Sequence, residues 1–278
     1  MPAPALRAPT ASLSAGSRRQ ALSWALGAAG AWAHPLGALA GTVAPRAESP
    51  RVGVDPMFVA SGLTAKWRAA MGKDLGWQAQ WQEMDTAQVL AQLEAGQIDT
   101  GLFLSHPRAT ELDRQGLIYN LQTLGTTAVW LLGPTEDLAG IRGERDAGRA
   151  LTQVLLAAQA GAARWAAPPA GSPLAALVDE LTRGQLPKLN RSGTTATPDG
   201  PAYELVPLAS RLASDRRKVW LQDDPKLLLK AQVACSFRSR HPGGKLLVNW
   251  LGWPLAQSAF KQVRPGWQGR PAQGAPRP

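Results

Sequence analysis

Apolar positions along the middle of the chain keep switching between two spacings, one at every second residue and one at every third or fourth. "RVGV" at residues 51–54 is a strand pattern, and Leu63, Trp67 and Met71 then fall at helical spacing, predicting a helix from about Ser61 to Met71. A loop, Asp55-Pro56-Met57-Phe58, joins the two. "GWQAQWQEMD" alternates as a second strand, and "TAQVLAQLEAG" predicts a helix with Thr86 as N-cap and Gly96 just past its end. "IDTGLFLSHP" is a third strand running into a loop, "RATELDRQGL" a short helix, and "TTAVWLLGP" a further strand. Strand alternating with helix argues an α/β fold with a parallel sheet.

"EDLAGIRGERDAG" is polar and glycine-rich and predicts a crossover into a second lobe. There the pattern predicts a helix over "RALTQVLLAAQAG", a strand at "ARWAAP" and a helix opening at Ser172-Pro173, with serine as cap and proline in the first turn. A mobile loop, "RSGTTATPDGPA", is followed by a strand at "YELVPLA", a helix at "SRLASDRRK" and a strand at "VWLQDD". From about Pro225 the chain returns to the first lobe through the strand "KAQVACSF" and the helix "GGKLLVNWLGWPLAQSAFKQV". The last segment, "RPGWQGRPAQGAPRP", is rich in Pro and Gly and predicts disorder. The divisions that follow are 1–40 leader, 41–50 linker, 51–128 and 223–265 first lobe, 129–222 second lobe and 266–278 tail.

Composition changes the picture at the N-terminus. The first forty residues carry a twin arginine (Arg18-Arg19), a modest apolar stretch and Ala38-Leu39-Ala40 before Gly41, which is the order of a secretory signal. The arginine pair resembles a Tat export signal, with cleavage expected after Ala40 and a periplasmic destination. The stretch is too short and interrupted for a membrane span of about 20 residues. Over 278 residues the net charge is +10; losing 1–40 removes three arginines and no acid, leaving +7. Those cations are scattered, so nucleic acid is not an expected partner, although a basic periplasmic interaction protein remains a rival reading. Cys235 is the single cysteine, which excludes an intrachain disulfide and reads as a core thiol in a strand.

Catalytic chemistry finds little footing. No GxSxG elbow, HExxH helix, P-loop or GxGxxG run is present, and His106 and His241 have no Cys or carboxylate at metal-ligand spacing. No enzyme, metal site or cofactor is expected. The tryptophans fall at helical or strand spacing, which favours core positions over a nucleic-acid platform.

The segments "ASGLTAKW", "AQLEAGQIDTGLFLSHPRATELDRQG", "TAVWLLGPTEDLAGIRG", "SPLAALVDELTRGQ", "DDPKLLLKAQVACS" and "HPGGKLLVNWLGWPLAQSAFKQ" together resemble the tungstate/molybdate-type substrate-binding proteins of ABC transporters. The resemblance spans Val52 to about Val263. It implies a two-lobed periplasmic-binding-protein fold, each lobe a mostly parallel sheet flanked by helices, joined by two crossover strands. It also implies capture of a small ligand or oxyanion by a monomer that delivers it to an inner-membrane permease. In such relatives hydroxyls and N–H groups of the loop after the first strand hold the anion, with help from a serine after the third strand and an arginine of the second lobe. Transferred by position, the pocket residues are Asp55, Met57, Phe58 and Ser61, then Ser105 and His106, Thr127, Gly171 and Ser172.

The sequence departs from that pattern where the anion would sit. Asp55-Pro56-Met57-Phe58 stands where threonines and serines are expected, and "AAPPAGSP" offers no arginine. A carboxylate repels a dianion, and Pro56 removes a backbone donor. Methionine and phenylalanine suit a larger, partly apolar ligand. A diverged protein that binds or senses a non-oxyanion organic solute is therefore the alternative function; the alternative for Asp55 is a helix-entry residue, and for Met57 and Phe58 packing between the lobes.

Overall fold

The computed structural model describes residues 49–183, 201–211, 214–215, 217–239, 241–263 and 266–270. The leader and its cleavage site, most of the loop "RSGTTATPDGPA" and the residues after Arg270 lie outside these.

Three parallel strands form one end of the first sheet: β1 (Arg51–Val54), flanked by β2 (Gln80–Glu83) and β3 (Thr100–Leu104). β3 is buried along its whole length, as a central strand should be, while β2 exposes most of its residues as an edge. Beyond β3 the order continues through β7 (Leu228–Ser236) to β4 (Ile118–Gly133), both antiparallel to their neighbours. The expected alternation of strand and helix thus accounts for the parallel part of the sheet. The antiparallel pairs belong to the strands that carry the chain out and back.

β4 is the link between the two sheets. Its residues up to Ala128 pair with β7, and from Val129 onward it pairs with β5 (Glu204–Pro207) and β6 (Lys218–Leu221). Its sixteen residues begin well before the segment that the apolar pattern picks out. An isolated parallel bridge, Trp165 to Tyr203, stands where a strand over "ARWAAP" was expected.

α1 (Pro56–Ala60) is a short helix where the sequence pattern gives a loop; Asp55 caps it and proline occupies its first turn. α2 (Leu63–Asp74) follows, with Leu63, Trp67 and Met71 buried. α3 (Thr86–Ala95) is capped by Asp85, not Thr86: Asp85 and Gln88 form a reciprocal capping box, and Gly96 closes the helix at φ 74°. α4 (Pro107–Arg114), α5 (Ala147–Gln159) and α6 (Pro173–Leu181) complete the helices before β5. Over "SRLASDRRK" no α-helix is formed by the described residues; a 3₁₀ turn at Leu208–Ser210 precedes them. The long C-terminal helix of the sequence reading is two, α7 (Pro242–Leu251) and α8 (Pro254–Gln262), because Pro254 cannot continue the hydrogen-bond ladder. None of these helices is long and apolar enough to cross a membrane.

A glycine pair sets how α3 seats on the sheet. Gly53 and Gly101 are register partners on β1 and β3. A Cβ on Gly53 would lie 2.7 Å from Ile98 Cδ1, and one on Gly101 would lie 2.5 Å from Val89 Cγ1. Side chains there would lift α3 and carry its N-terminus, Asp85-Thr86, away from the end of β1.

The tail prediction needs correction. Trp267–Gly269 forms β8, antiparallel to β4, because Trp267 has an aromatic socket to fill. It stacks on Phe58 at 5.3 Å between centroids and meets Phe260 edge-on at 6.0 Å, while Trp67 packs against both phenylalanines. Cys235 is a buried free thiol in β7, whose pKa burial raises.

Candidate functional site

The parallel strands β1, β2 and β3 all end on the same side, and each feeds a helix there. Asp55 follows β1, Asp85 caps the helix after β2, and Ser105-His106 follow β3. Such strand ends are where α/β sheets place ligands. Facing them are the Pro169–Leu174 turn with the start of α6, and Ser210. Between the two walls lies a cavity of about 540 Å³.

Its floor is a buried polar knot. Asp55, 6 % exposed, accepts from Met57 N–H at 2.9 Å through Oδ1 and from the Thr86 hydroxyl at 2.7 Å through Oδ2. The Thr86 oxygen in turn accepts from Leu104 N–H at 3.1 Å, so one hydroxyl ties α3 to the ends of both β1 and β3. Burial raises the Asp55 pKa, and the bonds from Met57 and Thr86 only partly offset it. Asp55 therefore caps a helix and anchors this floor while still facing the cavity.

The remaining walls are mostly carbon: Pro56, Met57, Ala60, Ala87 and Leu104 on one side, Pro169, Ala170, Pro173 and Leu174 on the other. Gly171 takes φ 74° to turn the chain into α6, and Ser172 caps that helix, its Oγ accepting from Ala175 N–H at 3.2 Å. Among the described residues no Lys, Arg or His lines this cavity; the charged groups among them are the Asp55 and Asp85 carboxylates.

A second cavity of about 850 Å³ adjoins the first, and Pro173 borders both. It holds Ser105 and His106 from the β3–α4 junction, Arg149 from the first turn of α5, Glu180 from α6, and Lys226 and Lys230 from the returning chain. Ser105 Oγ accepts from Lys230 N–H at 3.1 Å. His106 caps α4 through Nδ1, which accepts from Arg108 N–H at 3.1 Å, and burial lowers its pKa towards the neutral ring. Lys226 pairs with Asp146 at 2.6 Å.

The nine residues transferred by position therefore divide. Asp55, Met57, Gly171 and Ser172 border the apolar cavity, and Ser105 and His106 border the charged one. Phe58, Ser61 and Thr127 border neither. Phe58 is fully buried on Trp267, so its ring serves the core. Ser61 is buried and donates to Phe58 O at 3.2 Å. Thr127 is buried in β4 and accepts from Ala209 N–H at 3.1 Å, bracing the strand where it changes sheets. Sequence reasoning missed Thr86, Arg149 and Lys230. Thr86 follows a capping aspartate at a strand-to-helix junction, which is a readable signal; Arg149 and Lys230 reach their cavity only through tertiary packing.

Among the described residues no group of three or more His, Cys, Asp or Glu side chains is placed to hold a metal ion. No protein-family model matches the chain, and no curated protein matches it. Solved structures do. A periplasmic candidate metal-binding protein superposes with a TM-score of 0.68 at 17 % identity, covering 80 % of this chain and 96 % of the other. A tungstate-binding protein from Desulfovibrio alaskensis G20 gives 0.64 at 15 %, with 81 % and 99 % covered. The tungstate ABC transporter structure from Geobacter sulfurreducens gives 0.60 at 18 %, with 77 % and 98 % covered. These likenesses are of fold: the chain has the α/β fold of the type II periplasmic binding proteins.

Proposed function

We propose that this chain is a periplasmic solute-binding protein that closes its two lobes over a small organic solute with an apolar body and presents it to an inner-membrane ABC permease. The lobes are residues 51–128 with 223–265, and 129–222, and the exchange of sheet partners at Ala128/Val129 supports that division. The observation that carries the solute class is the wall of the 540 Å³ cavity, which among the described residues is mostly carbon, with two carboxylates, the hydroxyl residues Thr86, Ser172 and Ser210, and no cationic side chain. A tetrahedral dianion placed there would be desolvated opposite like charge, with no charge-assisted donor from Lys or Arg. An apolar body gains instead, at about 25 cal/mol per Å² of surface removed from water.

Closure follows from differential affinity: a solute touching both walls binds the closed form more tightly and shifts the population towards it. The likeness to tungstate binders supports a rival, oxyanion capture through backbone N–H groups alone. Thermal-shift screening of organic solutes and oxyanions, followed by small-angle scattering on each hit, tests the proposal. The expected result is an organic hit that contracts the protein. A screen in which only tungstate or molybdate shifts the melting curve, or hits that leave the scattering unchanged, would overturn it.

A further inference from the structure

Resting on the solute-binding reading, we infer that the solute is an amphiphilic organic monoanion whose head group sits in the second cavity, held by Arg149 and Lys230. Two compartments of opposite character meet at one point. Leu104 borders the apolar cavity and the next residue, Ser105, borders the charged one; Leu174 and Ala176 divide in the same way along α6, and Pro173 borders both. A molecule that fills the cleft therefore passes from carbon walls to polar walls within its own length.

Charge gives it a direction. Among the described residues the apolar compartment carries carboxylates and no cation, so it repels an anionic end. In the second compartment Lys226 is neutralised by Asp146, while Arg149 and Lys230 form no ion pair among the described residues. Arg149 stands in the first turn of α5, where the helix dipole disfavours a cation. Glu144 and Asp146 act on Arg149 through space without an ion pair, and Asp146 is already bonded to Lys226, so an anion that arrives from outside the fold can pair with the guanidinium. Lys230 and Gln232 lie on one face of β7 and border the same cavity, beside the Ser105 hydroxyl. Glu180 also faces this cavity and no ion pair holds it among the described residues, so outside the Lys226–Asp146 pair two cations and one carboxylate border the cavity. That balance fits a single negative charge and disfavours a dianion. His106, kept towards its neutral form by burial, adds a ring without adding a charge.

The experiment holds the tail constant and changes the head. Octanoate, octylammonium and octanol are titrated into the full chain by calorimetry, with acetate as the head group without a body. Octanoate is expected to bind best, roughly tenfold or more tighter than octanol or acetate. An Arg149→Gln/Lys230→Gln double variant should lose that advantage while octanol binding stays as it was. A Lys66→Gln/Lys73→Gln variant, which removes the same charge from exposed positions on α2, should retain it. Equal binding of all three octyl compounds, stronger binding of octylammonium, or no binding of octanoate would overturn the monoanion assignment. Whether the cleft binds solutes at all is decided separately by the wider screen and its scattering, so the assignment can fail while the solute-binding reading stands.

Discussion

Thr86→Val is a perturbation whose consequences follow from the polar knot under the cavity. Valine keeps the shape of threonine and removes the hydroxyl. Two bonds go at once: the donor to Asp55 Oδ2 at 2.7 Å and the acceptor for Leu104 N–H at 3.1 Å. A bond to an ionised carboxylate is worth about 1.5–3 kcal/mol, and leaving a buried N–H without a partner costs about 1–3 kcal/mol. Together the variant should lose about 2.5–6 kcal/mol at pH 7. The loss should depend on pH. Burial already holds the folded-state Asp55 pKa above its value of 3.8 in an open chain, and the Thr86 bond opposes that rise. A carboxylate with a raised folded pKa takes stability away as pH climbs through the interval above 3.8, and removing Thr86 widens that interval. Towards pH 4 a growing fraction of the folded protein carries a protonated Asp55, and the loss should shrink towards the Leu104 part, about 1–3 kcal/mol. Urea unfolding of both proteins at pH 4 and pH 7 measures this. A loss below about 1 kcal/mol at pH 7, or one equal at both pH values, would refute the coupling of Thr86 to an ionised Asp55.

Phe58→Ala should cost about 3–5 kcal/mol in urea unfolding, because it empties the place against Trp267 and Trp67; a loss under about 1 kcal/mol together with weakened solute binding would return Phe58 to the ligand. Gly101→Ala should cost about 1–3 kcal/mol by pushing on Val89 and Leu93, and the double variant with Val89→Ala should lose less than the sum of its parts. Asp215 is held at a pKa of about 2 by the Arg217 guanidinium, so its contribution is complete above 3.8 and is lost as pH falls towards 2. The melting-temperature gap between the wild type and Asp215→Asn should accordingly close between pH 5 and pH 2, and a constant gap would count against the pair.

What the sequence made legible was local. β1, α3, β3 and the Ser172-capped α6 follow from periodicity, caps and glycine, all of which act within a few residues. α1 was hidden because five residues are too few to show a helical period, although Asp55 followed by proline is a helix-start signal. Phe58 was misplaced for a different reason: its partner, Trp267, lies more than two hundred residues away in a segment whose composition reads as disordered. Ser105 and His106 were expected in one pocket with Asp55, but they border the second cavity, which shares Pro173 of α6 with the first, and that separation comes from tertiary packing. That "AAPPAGSP" holds no arginine was readable directly in the sequence; the structure adds that none enters this cavity from elsewhere among the described residues.

The most direct test of a cleft that has given up oxyanions for an organic solute is calorimetric titration of the full chain with tungstate and molybdate at low ionic strength, where weak electrostatic binding is at its strongest. The expected result is no saturable heat with either anion. Saturable binding at micromolar concentration, abolished by a bulky substitution at Gly171 or Ser172, would contradict it.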